Sequence, residues 1–560
     1  MSLAILAVVF LSVLLVGYRL YGRWIARQFD LDDGRRTPAH EVDDGVDFVP
    51  TRPFYLFAQH FSAIAAAGPI AGPIIAAQVF GWVPCLLWIG LGVVLIGAVH
   101  DFSTLTASVR HGARSIAEIT REHLGPRAGR AMMVFIWLAL IYVIVAFADI
   151  TAGSFVSGTE ELAGNSDGFN AGGAVAAASI MYLGLSVILG LVERFLKPPL
   201  WLSTIVFVPA TFGLAWLGTR MSHLLIMDAR TWALLILGYC AVASMMPVWS
   251  LLQPRGYLGG FVLYSALLLG VIGIFFGGYE IQQPAFKTWD AGGMTGALFP
   301  FLFVTIACGA CSGFHGLVCS GTTSKQIDRE SHLHPVGYGA MLAEGFVALI
   351  ALVTVMIMTS DQLKGLKPGT IYGNGLGEFM TLLIGPENRT FAITFGAMAF
   401  STFVFDTLDV STRLGRYILQ ELFGWTSKAG ATLAVLLTIG LPAFILGTAP
   451  GGSYIKFWTL FGASNQLLAA LSLLAITVWL HHARKRIAFT LLPMIFVLTI
   501  TLWSLSDLVY ANLKMAQGVD VALFNGLVSL ALLLLALFVA LSALVKVRRE
   551  RAARSPVAAG

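Results

Sequence analysis

Residues 68–73 read Gly68-Pro69-Ile70-Ala71-Gly72-Pro73 and fall in the middle of an apolar stretch, 54–80. Two Gly-Pro pairs this close remove amide donors and push the residue before each proline away from the α region. The spacing therefore predicts an unwound segment at 68–73 rather than a simple kink. Carbonyls freed inside a bilayer are tolerated only where they are buried in protein or line a water-filled cavity. The stretch is thus the place to look for a site.

Working outward, the pattern around it is that of a membrane protein. The chain has 560 residues, of which 57% are hydrophobic and 12% charged, about half the charge of a typical soluble domain. The apolar residues recur in blocks of bilayer-spanning length, and a sliding window gives about fifteen spans, from 2–21 to 522–546. The first span reads as a retained helix. It has no basic leader or small-residue cleavage site and runs into Arg19, Arg23 and Arg27. With the N-terminus outside, most of the 35 Lys and Arg residues fall on cytoplasmic connections such as 107–130 and 481–486. The connection 154–172 carries Glu160, Glu161 and Asp167 without a basic residue and is expected outside. The longest polar connections are 22–53 and 359–387, and the basic tail after Lys546 is expected to be disordered. Nothing points to nucleic acid.

A second interruption is expected at 245–254, where Met246-Pro247 and Gln253-Pro254 end the seventh span. The two breaks are then five spans apart on oppositely directed helices, as a 5+5 inverted repeat requires. The expected layout is an extra helix and cytoplasmic loop at 1–53 and a transport core at 54–412. Its halves are 54–218 and 231–412, and further helices with a basic tail occupy 413–560. The two breaks are predicted to face one another near mid-membrane.

Ionisable residues at membrane depth point to function. They are His60, Asp101, Asp149, His315, Glu344, Asp406, Asp409 and Lys456. His60 precedes the first break. His315 lies between Gly313 and Gly316 in a span (297–320) rich in small residues, which also brings Ser312, Ser320, Thr322 and Thr323. Hydroxyls there suit a cation, or merely bond their own helix. Histidine, with an unperturbed pKa of about 6.5, is a reversible proton carrier. Asp409 and Arg413, four apart, read as a structural pair. His100-Asp101 reads as a gate or solvated pair at a cytoplasmic helix end, and Glu344 has no evident partner. Candidate substrate-binding residues are His60, Ser62, Gly68, Gly72, Met246, Trp249 and Ser312. Candidate ion-coupling residues are His315, Asp406, Asp409, Ser320, Thr322 and Thr323. The five cysteines fall in spans, and Cys308-x-x-Cys311 reads as close packing rather than redox or metal chemistry. No catalytic residue, cofactor or metal ligand is assigned.

Several stretches resemble the carbon starvation protein A family. They are Gln59-His60-Phe61-Ser62 running to Gly72-Pro73, His100-Asp101-Phe102, Leu251-Leu252-Gln253-Pro254-Arg255, and Ile306-Ala307-Cys308-Gly309-Ala310-Cys311-Ser312-Gly313-Phe314-His315. Ser320-Gly321-Thr322-Thr323-Ser324-Lys325-Gln326, Thr407-Leu408-Asp409 with Thr412-Arg413-Leu414-Gly415-Arg416-Tyr417, and Phe461-Gly462 with Asn465-Gln466-Leu467-Leu468 complete the set. One departure is Gly256, where the family usually has an acid after Gln-Pro-Arg. The chain is also shorter than the family's long members. The resemblance implies a multi-pass protein of the bacterial inner membrane, N-terminus outside and C-terminus cytoplasmic, importing a carbon source under starvation. The expected activity is symport of pyruvate or a similar small carboxylate, proton-coupled, with sodium as the other candidate ion. Peptide or amino-acid uptake is the alternative. A nutrient sensor and an intramembrane hydrolase using Ser312 and His315 are weaker readings; the hydrolase lacks a third catalytic group and an oxyanion site.

Overall fold

The computed structural model describes residues 2–45, 47–65, 67–156, 169–293, 296–449, 454–518 and 520–554. It is helical throughout. In chain order the elements are α1 (Leu3–Gln28), α2 (Pro53–Ile64), α3 (Gly68–Phe80), α4 (Trp82–Arg110) and α5 (Ile116–Leu124). Then come α6 (Pro126–Phe155), α7 (Ala171–Phe195), α8 (Leu200–Arg220), α9 (Ala229–Met245) and α10 (Leu252–Phe276). The second half holds α11 (Leu298–Thr305), α12 (Gly313–Gly321), α13 (Glu330–Met356), α14 (Pro368–Ile384) and α15 (Arg389–Phe423). It closes with α16 (Lys428–Thr448), α17 (Tyr454–His482), α18 (Ala488–Met515) and α19 (Val521–Arg554).

Among the described residues, 12 helices are long and apolar enough to cross a membrane, and the bent pair α2–α3 makes a thirteenth span. Two expected spans fall short. At 231–250 the helix α9 ends early, and 297–320 is split into α11 and α12. Large apolar side chains such as Leu200, Trp201 and Ile205 are exposed on α8. A lipid-facing helix presents such a surface, whereas α6, α13, α15 and α17 are mostly buried.

The breaks lie elsewhere than the prolines suggest. Residues 68–73 are not unwound: they form the first turns of α3, and the helix is left just upstream, at Ala65, which takes ψ 51°, with a 44° bend between α2 and α3. A proline in a first helical turn removes an amide with no intrahelical partner anyway, so Pro69 starts a helix rather than stopping one. The interruption at 245–254 is a turn between spans. Near one end of α7, a Cβ on Gly173 would meet the carbonyl of Ser222, which precedes α9; near the other, a Cβ on Gly190 would lie 2.7 Å from the Ser250 carbonyl, which follows it. Helix α10 then returns antiparallel to α7, Pro254 lying against Gly190 and Gly259 against Tyr182. The second broken span is α11–α12, with 306–312 non-helical between them. The helices α4, α6, α7, α8, α9 and α10 intervene between the two broken spans, so the breaks are not five spans apart.

These two breaks do face one another. A Cβ on Gly68 would collide with Sγ of Cys308, one on Gly72 would lie 2.6 Å from the Thr305 carbonyl, and one on Gly309 would sit 3.5 Å from Cα of Pro69. Glycine is required at 72 because α3 meets the opposing break backbone to backbone there, and at 68 because the Cys308 side chain fills the space a Cβ would take.

Two polar stretches also turn out ordered. The expected connection 359–387 contains α14, buried along most of its length. Its Gly373 and Gly377 lie against Ala397 and Ile393 of α15, so glycine lowers its hydropathy while permitting close packing. The tail is helical to Arg554; residues beyond it, and most of the loop 154–172 with Glu160, Glu161 and Asp167, lie outside the described residues. Connections 22–53, 111–115, 322–330 and 483–487 gather on one face. Thr51 bridges to Ile327, Arg110 and Arg35 pair with Glu330, and Asp30 pairs with Lys485.

Candidate functional site: a buried histidine–carboxylate cluster beside two helix breaks

Helix α17 holds the second break open. Carbonyls at the end of α11 have lost their helical donors, and α17 supplies new ones. Nε1 of Trp458 donates to the Thr305 carbonyl at 3.0 Å, and Nε2 of Gln466 donates to that of Phe303 at 2.9 Å. Asn465 spans the gap. Its Oδ1 accepts the Phe314 amide at 2.8 Å, and its Nδ2 donates to Ser312 Oγ at 3.0 Å and toward Cys308 Sγ at 3.2 Å. Gly462 lets α17 come this near, since a Cβ there would strike the Val304 carbonyl. Cys308 and Cys311 are free thiols packed in this turn.

Beside the breaks lies a cluster drawn from α2, α4, α12 and α13. Asp101 receives two imidazoles: Nδ1 of His100 donates to Oδ1 at 2.8 Å, and Nδ1 of His315 to Oδ2 at 2.9 Å. The other ring nitrogen of His315 stands 3.2 Å from Oε2 of Glu344. His60 reaches Thr323 Oγ1 through Nδ1 at 2.8 Å, and its Nε2 faces Cys319 Sγ at 3.9 Å. None of His60, His100, Asp101, His315 and Glu344 is more than 1% exposed. His100-Asp101 is therefore not a solvated pair. Helix α4 runs on to Arg110 through buried Ser103, Thr104 and Thr106, which places Asp101 well inside. Glu344 does have a partner, His315.

His315 has a carboxylate at each nitrogen. With Nδ1 turned to Asp101, Nε2 can face Glu344 either as part of an imidazolium or as the acceptor of a protonated Glu344. Both descriptions carry the same number of protons, with one proton shared between His315 and Glu344. Nε2 of His100 is buried with no hydrogen-bond partner among the described residues, 3.3 Å from where a Cβ on Gly316 would stand.

A second buried charge cluster sits apart from the first. The Arg255 guanidinium donates through Nε to Asp406 Oδ1 at 2.7 Å, through Nη1 to Tyr239 Oη at 2.9 Å, and pairs with Asp409. Tyr239 in turn donates to Asp409 at 2.8 Å, and Tyr182 Oη donates to the Arg255 carbonyl at 2.9 Å. Asp409 is thus not paired with Arg413. That guanidinium caps α9, donating to the carbonyls of Ala243 (2.9 Å) and Met246 (2.8 Å).

The sequence-derived candidates divide accordingly. His60, Gly68, Ser312, His315 and Thr323 come together at the breaks. Asp406 and Asp409 belong to the Arg255 cluster. Met246 and Trp249 lie in the turn between α9 and α10, and Ser62 is half-buried on α2. Ser320 Oγ donates to its own helix at Gly316 and accepts the Ile116 amide, while Thr322 is exposed, so the three hydroxyls do not converge. Asp149 is half-buried on α6, and Lys456 is exposed. Asn465, Trp458, Arg255 and Tyr239 were not singled out as site residues.

A model of the family described as "Carbon starvation protein CstA" matches residues 2–374 and 367–504. A peptide transporter CstA of Campylobacter jejuni is 33% identical, covering 89% of this chain and 79% of its own length. The Bacillus subtilis peptide transporter CstA is 31% identical over 98% of this chain and 97% of its own. The Escherichia coli pyruvate/proton symporter BtsT is 30% identical over 90% of this chain and 82% of its own. Among solved structures, a mutant manganese transporter of Eremococcus coleocola is similar at a TM-score of 0.45 and 13% identity, covering 88% of this chain and 95% of that one. The chain is a multi-pass membrane transporter rather than an enzyme, and it belongs to the carbon starvation protein CstA family.

Proposed function

We propose that this protein imports a small monocarboxylate such as pyruvate by proton symport, with the His315–Glu344–Asp101 cluster as the coupling site. The carrying observation is the buried imidazole with a carboxylate at each nitrogen, adjoining two opposed helix breaks. The N-termini of α3 and α12 both open at those breaks. Half-helix N-termini present amides and positive dipole ends suited to a carboxylate. Substrate would bind at Gly68, Gly72 and Ser312, with His60 and Ser62 on the approach along α2. Asp406 and Asp409 are the alternative ion site. On this reading the transport core expected at 54–412 also takes in α17, because Asn465 and Trp458 shape the second break; 1–53 and the remaining C-terminal helices flank it. An inverted repeat is compatible with two opposed breaks, its halves offset by more than five spans.

The gathering of basic connections on one face supports a cytoplasmic assignment for 107–130 and 481–486, with the N-terminus outside in a bacterial inner membrane. Cysteine labelling from each side tests this.

Peptide uptake is the second reading, favoured by the names of the Campylobacter and Bacillus relatives. The deciding experiment is uptake of labelled pyruvate and of a labelled dipeptide into proteoliposomes under imposed proton or sodium gradients. Pyruvate accumulation driven by an inward proton gradient supports the first reading. Accumulation of the dipeptide alone, or drive by sodium alone, overturns it.

A further inference from the structure

On the face that gathers the basic connections, three helix ends meet around imidazoles that the transport site does not use. His111 caps the end of α4, Glu122 and His123 belong to α5, and His482 ends α17. Nδ1 of His111 lies 2.6 Å from the Ala107 carbonyl. An acceptor there fixes the tautomer: Nδ1 carries the proton and Nε2 presents its lone pair. That lone pair is 2.9 Å from Nε2 of His123. Glu122 turns one oxygen to Arg114 at 2.8 Å and the other toward the imidazoles, Oε1 standing 4.0 Å from His111 Nε2. The three ligand atoms lie within 4.8 Å of one another. Trp479 packs edge-on against the His111 ring at 5.2 Å and holds its orientation.

We propose that His111, His123 and Glu122 form a binding site for a borderline transition-metal cation of the zinc class. Two imidazoles and one carboxylate are a common protein ligand set for tetrahedral zinc, water completing the fourth position. Zinc–ligand bonds of about 2.0–2.2 Å place tetrahedral ligand atoms about 3.3–3.5 Å apart. Reaching that spacing separates the two Nε2 atoms by a few tenths of an ångström and draws in Oε1 of Glu122, whose side chain is 43% exposed and keeps its other oxygen on Arg114. On binding, His123 gives the metal its Nε2 lone pair and holds its proton on Nδ1. His482 Nδ1 stands 3.4 Å from that atom and serves as the outer partner. The nearby cations are engaged elsewhere or balanced: Arg110 with Glu330, Lys485 with Asp30, Arg114 with Glu122. A cation bound here ties α4, which carries Asp101, to α5. Through His482 it also braces α17, which carries Asn465.

The test is titration of the full-length protein in detergent with Co2+, read by its visible absorption, and with Zn2+, read by calorimetry and by the shift in Tm. One ion per chain is expected, with a Tm rise that grows with free metal. His123→Gln and His111→Gln each weaken binding at least about 10-fold, and together they abolish the Tm rise; His482→Phe weakens it about 10-fold as an outer-partner loss. His40→Ala with His332→Ala is the control, because those imidazoles approach Asp328 on the same face, and it leaves binding unchanged. The proposal is overturned if wild type binds neither metal at millimolar concentration. It is equally overturned if binding follows His40 and His332, or if the His111→Gln/His123→Gln double variant binds as wild type does. None of these readouts depends on substrate, so they stand apart from the transport assay.

Discussion

The chain buries charge in two places, and the two are built from different chemistry. In the His315 cluster every cationic group is an imidazole, a side chain that exists in neutral and charged forms. In the Arg255 cluster the cation is a guanidinium, charged at any pH a cell meets. One carboxylate more than its arginine can neutralise remains in the second cluster, and Asp406, with 24% of its side chain exposed, is the one in reach of water. The first cluster sits beside two broken spans, whereas the second joins continuous helices α9, α10 and α15. Under the proposed symport, the contrast gives switching to the first and holding to the second. On that proposal the group that changes charge sits beside the helix breaks, and the fixed charge sits where helices need a clamp.

Removing the clamp should have the largest effect. Arg255→Met leaves Asp406 and Asp409 facing one another without a cation. Breaking a buried pair from one side costs about 3–5 kcal/mol. The expected result is little monodisperse protein by size exclusion. Arg255→Met combined with Asp406→Asn and Asp409→Asn should restore folding, because no bare charge remains. If Arg255→Met alone purifies with the wild-type Tm, the holding role is wrong.

The switching cluster should behave in the opposite way, folding well and failing to couple. His315→Gln and Glu344→Gln each keep a polar side chain of similar size but remove one titrating member of the pair. Both should insert and purify normally, lose accumulation driven by a proton gradient, and still exchange labelled for unlabelled substrate at equal pH. If both variants concentrate substrate with the normal pH dependence, the proton path lies elsewhere. Asp406 is then the next group to substitute. Loss in His315→Gln alone would instead assign the proton to the His315–Asp101 side of the cluster.

How much of this was legible in the sequence depends on what breaks a helix. The first break announces itself through Pro69 and Pro73, although the prolines begin α3 rather than unwind it. The second contains no proline. Residues 306–312 leave the helix because Trp458, Gln466 and Asn465 partner the backbone on either side of them, at the carbonyls of Thr305 and Phe303 and the amide of Phe314, and those side chains are about 150 residues away in the chain. Local pattern carries no trace of such a trade, and the Met-Pro turn after α9 took its place as the expected break. Long-range pairing hid the rest in the same way. His60 and His315 stand out as isolated ionisable residues in apolar spans. That Glu344 answers His315, and that Arg255 rather than Arg413 answers Asp409, is decided by helix packing alone.

If Asn465 holds the second break, its loss should be felt at an intermediate level. Asn465→Ala leaves the buried Phe314 amide without its acceptor, at a cost of about 1–3 kcal/mol. The expected outcome is a lowered Tm with weakened substrate affinity, because Ser312 and Gly313 lose their fixed position. Asn465→Asp keeps the acceptor for the Phe314 amide but not the donor to Ser312, and should recover part of the Tm. A wild-type Tm and affinity in Asn465→Ala would show that the unwound turn holds itself.

The smallest effect should come from Arg413, and it discriminates between the pairing that helical spacing suggests and the one the fold adopts. Were Arg413 the partner of Asp409, its removal would strip a buried carboxylate of its cation and mimic Arg255→Met. In the structure it caps α9, donating to two terminal carbonyls beside the half-exposed turn at Met246. Water can replace a donor there, so Arg413→Gln gives up only the charge-assisted part of the bonds and the favourable placement of a cation at a helix C-terminus. That amounts to about 1 kcal/mol. A Tm shift of a few degrees with unaltered uptake is expected. Collapse of the folded protein on the scale of Arg255→Met would return Arg413 to Asp409 and leave the α9 end without its cap.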